Sequence, residues 1–150
     1  MALTAAVGLV FAQAAAVKVD GAWARATVQG QKGTGAFMTL TAKDGTRLVG
    51  VSSPAAGVAE VHEMKLENDV MKMRAVAGLD LPAGQAVSLK PGGYHVMLMD
   101  LKAPLQKDST VPVILRFKDA KGVESSLNLV LPVSSTAPRS AEGQAADHKH

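Results

Sequence analysis

The sequence predicts an all-β protein, built from two packed antiparallel sheets. Short runs rich in Val, Thr and Leu recur about every ten residues from Val17 onward. Clusters of Gly, Pro, Asp and Asn separate these runs, as at Asn68-Asp69 and at Pro91-Gly92-Gly93. No stretch keeps a helical period over several turns. Regular short strands with frequent turn signals are typical of a β-sandwich.

Nine strands are predicted between turn clusters that supply the backbone dihedrals a reversal requires. They span residues 17–28, 35–42, 46–52, 58–66, 70–77, 86–89, 94–101, 111–118 and 123–132. After Val133 the composition changes: residues 134–150 have no apolar period and predict a flexible tail that ends in His148-Lys149-His150. The single folded domain is therefore expected to span residues 17–133.

The first sixteen residues are apolar and uncharged, and they indicate a secretory signal. Ala12-Gln13-Ala14 and Ala14-Ala15-Ala16 both match a small-x-small cleavage site, so the mature chain is expected to begin near Ala15 or Val17. A short buried helix is the alternative interpretation. The stretch is short for a membrane span, and we expect export without stable membrane insertion after cleavage.

Composition excludes several classes of protein. Of 150 residues 47% are apolar, enough for a core, and the net charge of +3 comes from scattered positive residues. Nucleic-acid binding usually needs a concentrated basic face, so we do not expect it. The absence of cysteine excludes disulfides, thiolate metal sites and blue-copper electron transfer, and no catalytic constellation stands out.

The stretch from His62 to Met99 concentrates the residues that bear chemistry. It holds five of the seven methionines and two of the four histidines. Thioethers are soft ligands that favour Cu(I), and imidazole binds copper in either oxidation state. This combination indicates a copper site. A methionine in a β-protein is more often core filler, so a metal-independent interaction module with a Met-rich docking face is the alternative from a different class.

A hairpin that turns at Asn68-Asp69 would gather these ligands. A two-residue loop places Met64 opposite Met73 and His62 opposite Ala75, so that the histidine and the methionines share one face. In a third strand, residues 94–101, alternation puts His95, Met97 and Met99 on one face as well. The three strands together would bring imidazoles and thioethers to one place.

The spacing of these residues resembles a known family. Ten residues separate His62 from Met73, twenty-one separate Met73 from His95, and His95-Val96-Met97 follows. This pattern, with Ala22-Trp23-Ala24-Arg25 and the segment 89–97, is similar to the H-x10-M-x21-H-x-M signature of the PCu(A)C periplasmic copper chaperones. The resemblance covers about residues 20–132.

The resemblance implies a cupredoxin-like, Greek-key β-sandwich that binds Cu(I) through His62, Met73, His95 and Met97 and is not an enzyme. Met64, Met71 and Met99 would form soft surroundings or core, with Met64 as a stand-in ligand. The family delivers copper in the periplasm to the Cu(A) centre of cytochrome c oxidase, in subunit II, alongside a thiol-bearing chaperone.

Two further expectations follow from the resemblance. Some members carry a tail that takes Cu(II), which makes His148 and His150 candidates for a second site, although this tail lacks Met. A copper-scavenging or resistance protein with the same ligands is the remaining alternative, because storage and delivery need the same site.

Overall fold

The computed structural model describes residues 17–137, and this part of the chain is built from strands joined by turns. The strands are β1 (Val17–Arg25), β2 (Gly33–Ala42), β3 (Thr46–Ser52), β4 (Ala56–Glu67), β5 (Val70–Ala75), β6 (Leu79–Leu81), β7 (Ala86–Leu89), β8 (Tyr94–Leu101), β9 (Thr110–Lys118) and β10 (Glu124–Ser134). The all-β prediction is confirmed. Strand β6 was not predicted, because three residues between two turns are too few to show alternation.

No helix within residues 17–137 is long and apolar enough to span a membrane. The predicted signal, residues 1–16, and all of the predicted tail beyond Ala137, including His148 and His150, lie outside the described residues.

The strands pair along one continuous path rather than in two separate sheets. The order is β5-β4-β8-β2-β1-β10-β9-β3-β6, and β7 pairs with β2 beside this path. The path has two halves, β5-β4-β8-β2-β1 and β10-β9-β3-β6. The first and last strands, β1 and β10, run parallel and join these halves through the pairs Ala24–Val133 and Arg25–Ser134. This join differs from the expected all-antiparallel arrangement. It occurs because pairing there satisfies backbone groups that would otherwise form two open edges.

One apolar core lies between the two halves. Along β9 every second residue from Val111 to Phe117 is buried, as expected for a strand with one face inward. The fully buried side chains come from both halves: Leu40, Val96 and Leu98 from one, and Val113, Leu115 and Phe117 from the other. Because Val61 and Val96 point into this core, their chain neighbours His62 and His95 lie on the outer face of the sheet.

A β-bulge in β1 changes which residues of that strand face outward. The register with β2 shifts by one residue between Asp20 and Trp23, and Gly21 lies in the left-handed region with φ of 62°. Before the bulge Val19 packs against the core, and after it Ala24 does. Trp23 is thereby turned to the outer face, next to its partner Phe37 on β2.

Candidate metal site

The β4–β5 hairpin has the register that the sequence predicts. Met64 pairs with Met73, and His62 pairs with Ala75. The loop residues Asn68 and Asp69 have φ of 52° and 65°, the left-handed conformation that a two-residue type I′ loop requires at both positions. The observed register confirms the predicted hairpin. It also confirms that His62 and the hairpin methionines share one face, because the two-residue loop sets which residues pair.

Strand β8 places the second histidine directly opposite the first. His95 pairs with His62 across β4 and β8, and their ring centroids are 6.2 Å apart. With metal–nitrogen bonds of about 2 Å, this is roughly the separation of two imidazoles that share one ion. Although both rings lie on the outer face, His62 is 9% exposed and His95 only 6%. The structure thus brings the two predicted imidazoles together in a largely desolvated position.

Each imidazole has one nitrogen held by an acceptor. His62 Nε2 lies 2.9 Å from Glu60 Oε1, and His95 Nδ1 lies 3.1 Å from the carbonyl oxygen of Gly93. Because a carboxylate and a carbonyl only accept, these contacts favour the tautomers in which these nitrogens carry the protons. The lone pairs of His62 Nδ1 and His95 Nε2 are therefore left for a ligand. Metal-binding histidines show this arrangement, in which the nitrogen away from the metal donates to an oxygen.

The free nitrogen of His62 is a distinctive feature of the site. His62 Nδ1 is buried and has no hydrogen-bond partner among residues 17–137. An unsatisfied buried polar atom costs about 1–3 kcal/mol, so native proteins rarely leave one without a reason. A soft metal ion bound at Nδ1 would remove this cost. The unpartnered Nδ1 therefore fits the copper ion that the neighbouring imidazole and thioethers suggest.

A tight turn before β8 supplies the carbonyl that holds His95. Gly93 N–H donates to the Lys90 carbonyl at 3.1 Å, with Pro91 and Gly92 between them and Gly92 at φ 88°. Proline followed by a residue with positive φ is the pattern of a type II turn. The Gly93 carbonyl then accepts from both Met64 N–H, at 3.2 Å, and His95. The turn ties β4 and β8 together beside the two rings.

The predicted methionines lie on the same face, on opposite sides of the histidine pair. Met73 pairs with Met64 and is a diagonal neighbour of His62. Met97 lies two residues after His95 on β8 and pairs with Glu60. Met97 is half-buried, whereas Met73, on the edge strand, is 47% exposed. Met64 lies two residues after His62 on the same strand face, so by register it is as close to His62 as Met73 is. It is therefore available as a second thioether donor on this side.

A row of aromatic rings continues from the histidines, which the sequence did not predict. The ring of Phe37 lies 6.3 Å from His95 and 5.0 Å from Trp23, and the Arg25 guanidinium lies over both Phe37 and Trp23. Gly35 makes room for this row, because a Cβ there would come within 2.8 Å of the Phe37 ring. Glu60 was also missed, although its i−2 spacing from His62 on one strand face could have revealed it.

Comparison with known proteins agrees with this fold. The family model described as "Putative lipoprotein LpqE-like" matches residues 17–129. Lxx21020 of Leifsonia xyli subsp. xyli, whose name also describes a lipoprotein, is 38% identical over 108 residues, which cover 71% of this chain and 65% of that protein. RP573 of Rickettsia prowazekii is 35% identical over 111 residues, 70% of this chain and 61% of that protein. The chain thus spans less than two thirds of either relative.

Solved structures show the same fold. The copper-bound PCuAC domain from PmoF2 matches with a TM-score of 0.65 and 21% identity, covering 85% of this chain and 100% of that domain. At that identity the likeness concerns the fold alone. The solution structure of CuI-DR1885 from Deinococcus radiodurans matches with a TM-score of 0.62 and 33% identity, covering 83% of each chain.

The fold is that of an all-β, cupredoxin-like domain of the PCuAC type, which confirms the expected fold class. The chain belongs to the LpqE-like family, the PCu(A)C family that its sequence resembles.

Proposed function

We propose that this chain is an exported, periplasmic Cu(I) chaperone that holds the ion between His62, Met73, His95 and Met97. The observation that carries the proposal is the facing pair of buried imidazoles, each with one nitrogen held by an oxygen and the other free. The likeness to a protein solved with Cu(I), at 33% identity, supports the same cargo. The lipoprotein names of the family and of one relative support export.

The donor set suits a monovalent ion that is carried rather than used in catalysis. Neutral imidazoles and thioethers add no negative charge to the site and favour soft Cu(I) over Cu(II). Met73 lies on an edge strand and is half exposed, so a ligand of an acceptor protein has access to this side of the ion. We infer that copper passes directly to such an acceptor, namely the Cu(A) domain of cytochrome c oxidase subunit II, with a thiol-bearing chaperone acting in the same route.

An anaerobic Cu(I) titration of the full chain against a colorimetric chelator tests the site. Wild type is expected to take one ion, and Met73→Leu and His95→Ala to weaken binding by about tenfold or more, equivalent to roughly 1.4 kcal/mol. Met71→Leu is the matched control, because Met71 and Met73 lie on one face of β5 with exposures of 50% and 47%. A wild-type chain that cannot compete for copper contradicts the proposal.

Mixing the loaded chain with an apo Cu(A) domain separates delivery from storage. Loss of copper from the chain and its appearance in the acceptor support delivery. Retention by the chain, with binding intact, favours the scavenging or resistance role instead.

A metal-independent interaction module is the second candidate, favoured by exposed apolar side chains at the hairpin tip. Leu66 is 62% exposed and Met71 is 50% exposed, and they pair with each other. Such a module would keep its partner binding in a His62→Ala/His95→Ala variant, whereas a chaperone would lose its cargo.

A further inference from the structure

Within residues 17–137, Glu60 is the one acidic side chain that contacts a histidine of this site. Its Oε1 lies 2.9 Å from His62 Nε2, two residues along the same strand face. The His62 side chain is 11% exposed and that of Glu60 is 44% exposed, so the contact joins a buried ring to a partly solvated carboxylate.

The two histidines are held through different nitrogens. The Glu60 carboxylate is hydrogen-bonded to Nε2 of His62, whereas the Gly93 carbonyl is hydrogen-bonded to Nδ1 of His95. A neutral imidazole has a single N–H, and the position of its proton decides which nitrogen has the free lone pair. The remaining nitrogen, His62 Nδ1, is buried and meets no hydrogen-bond partner in the described part of the chain.

We propose that Glu60 is a positioning residue that selects the tautomer of His62, so that copper binds His62 through Nδ1 and His95 through Nε2. This inference rests on the proposed function and adds to it which atoms face the ion and which residue decides this. Glu60 does not touch copper in this arrangement. It acts by holding Nε2–H and the plane of the ring, as oxygen acceptors do behind metal-binding histidines.

The chain offers close variants for a test. Glu60→Gln keeps an oxygen acceptor and removes the charge, whereas Glu60→Leu removes both. Glu63→Leu is the control, because Glu63 lies on the same strand but on the other face, where its carboxylate is 3.5 Å from Arg74 Nε.

The first measurement uses the copper-free chain at mildly alkaline pH. Long-range proton–nitrogen correlation spectra report which imidazole nitrogen carries the proton. Wild type, Glu60→Gln and Glu63→Leu are expected to show His62 protonated at Nε2. Glu60→Leu is expected to show a mixture of both tautomers at His62, with His95 still protonated at Nδ1 in every variant.

The second measurement adds Cu(I). The nitrogen resonances that shift on loading are expected to be Nδ1 of His62 and Nε2 of His95, and Glu60→Leu is expected to lower Cu(I) affinity about 10–100-fold. Glu60→Gln should lose much less, since its amide oxygen still accepts from Nε2–H.

Three results would overturn the inference: a wild-type His62 protonated at Nδ1, a copper-loaded chain bound through Nε2 of His62, or a Glu60→Leu variant with unchanged tautomer and affinity. A chain that binds Cu(I) through Nε2 contradicts the inference and leaves the proposed function standing. A chain that binds no Cu(I) contradicts both, whatever its copper-free tautomer.

Discussion

His62 and His95 face each other across β4 and β8 with ring centroids 6.2 Å apart, on the face of the sheet that points away from the core. Both are nevertheless buried, and their rings continue into the row formed by Phe37 and Trp23. The site therefore belongs to a second, smaller packed layer on the outside of the β-sandwich. Variants in this layer are expected to change the site without opening the main core.

Met97 and Met99 provide a matched test of the thioether on β8. Both are half-buried on the same face, but Met97 is two residues from His95 and Met99 is four. Met97→Leu is expected to weaken Cu(I) binding by about tenfold or more, roughly 1.4 kcal/mol, because it removes a soft donor. Met99→Leu is expected to bind as wild type does. Since leucine and methionine have similar volumes, the free energy of unfolding, measured with urea, should change by less than about 1.5 kcal/mol in both variants. Equal losses of affinity in the two variants would contradict the assignment.

Gly35 is predicted to be required for the position of the Phe37 ring. A Cβ at Gly35 would come within 2.8 Å of that ring, so Gly35→Ala is expected to lower the free energy of unfolding by about 1–3 kcal/mol. Gly33→Ala is the control: Gly33 lies on the same strand, but a Cβ there would meet nothing closer than 3.4 Å. Urea unfolding measures both. A Phe37→Leu background should reduce the cost of Gly35→Ala, and an unchanged cost would show that the ring is not its cause.

Asp69 holds a left-handed conformation that glycine adopts without a steric penalty. With φ of 65° at the second loop position, Asp69→Gly is expected to raise the free energy of unfolding by up to about 1 kcal/mol. Asp69→Val should lower it by about 1–2 kcal/mol, because a β-branched side chain is strained there. Asp44→Gly, in the turn between β2 and β3, serves as the comparison, since Asp44 is not among the positive-φ residues. Equal stabilisation by both glycine variants would argue against relief of strain at Asp69.

Trp23 is expected to report copper binding and removal. It is the single tryptophan of the chain, and its ring contacts Phe37, which in turn lies beside His95. When Cu(I) fixes the His95 ring, the packing of this row changes and the emission of Trp23 should change with it. A chelator that removes copper should restore the original spectrum. The same emission change in a His95→Ala variant would show that the signal arises elsewhere.

Local rules were sufficient for much of this molecule. Alternation determined which residues of the hairpin share a face, and the two-residue loop at Asn68-Asp69 determined the pairing of Met64 with Met73, because both effects act within a few residues. The spacing of His62, Met73, His95 and Met97 likewise pointed to the family before any fold was known.

Other features depend on segments that are distant in the chain. The pairing of β4 with β8, which sets His62 opposite His95, joins segments about thirty residues apart, and no local rule determines that register. The bulge at Gly21 turned Trp23 outward, against the alternation of the residues before it. The Gly93 carbonyl was revealed as an acceptor only by the folded backbone. The sequence by itself determined which donors are present and which of them share a face. The tertiary structure decided which nitrogen of each imidazole lies against an oxygen, because that depends on how strand β4 and the turn at Gly93 place their acceptors within hydrogen-bonding distance.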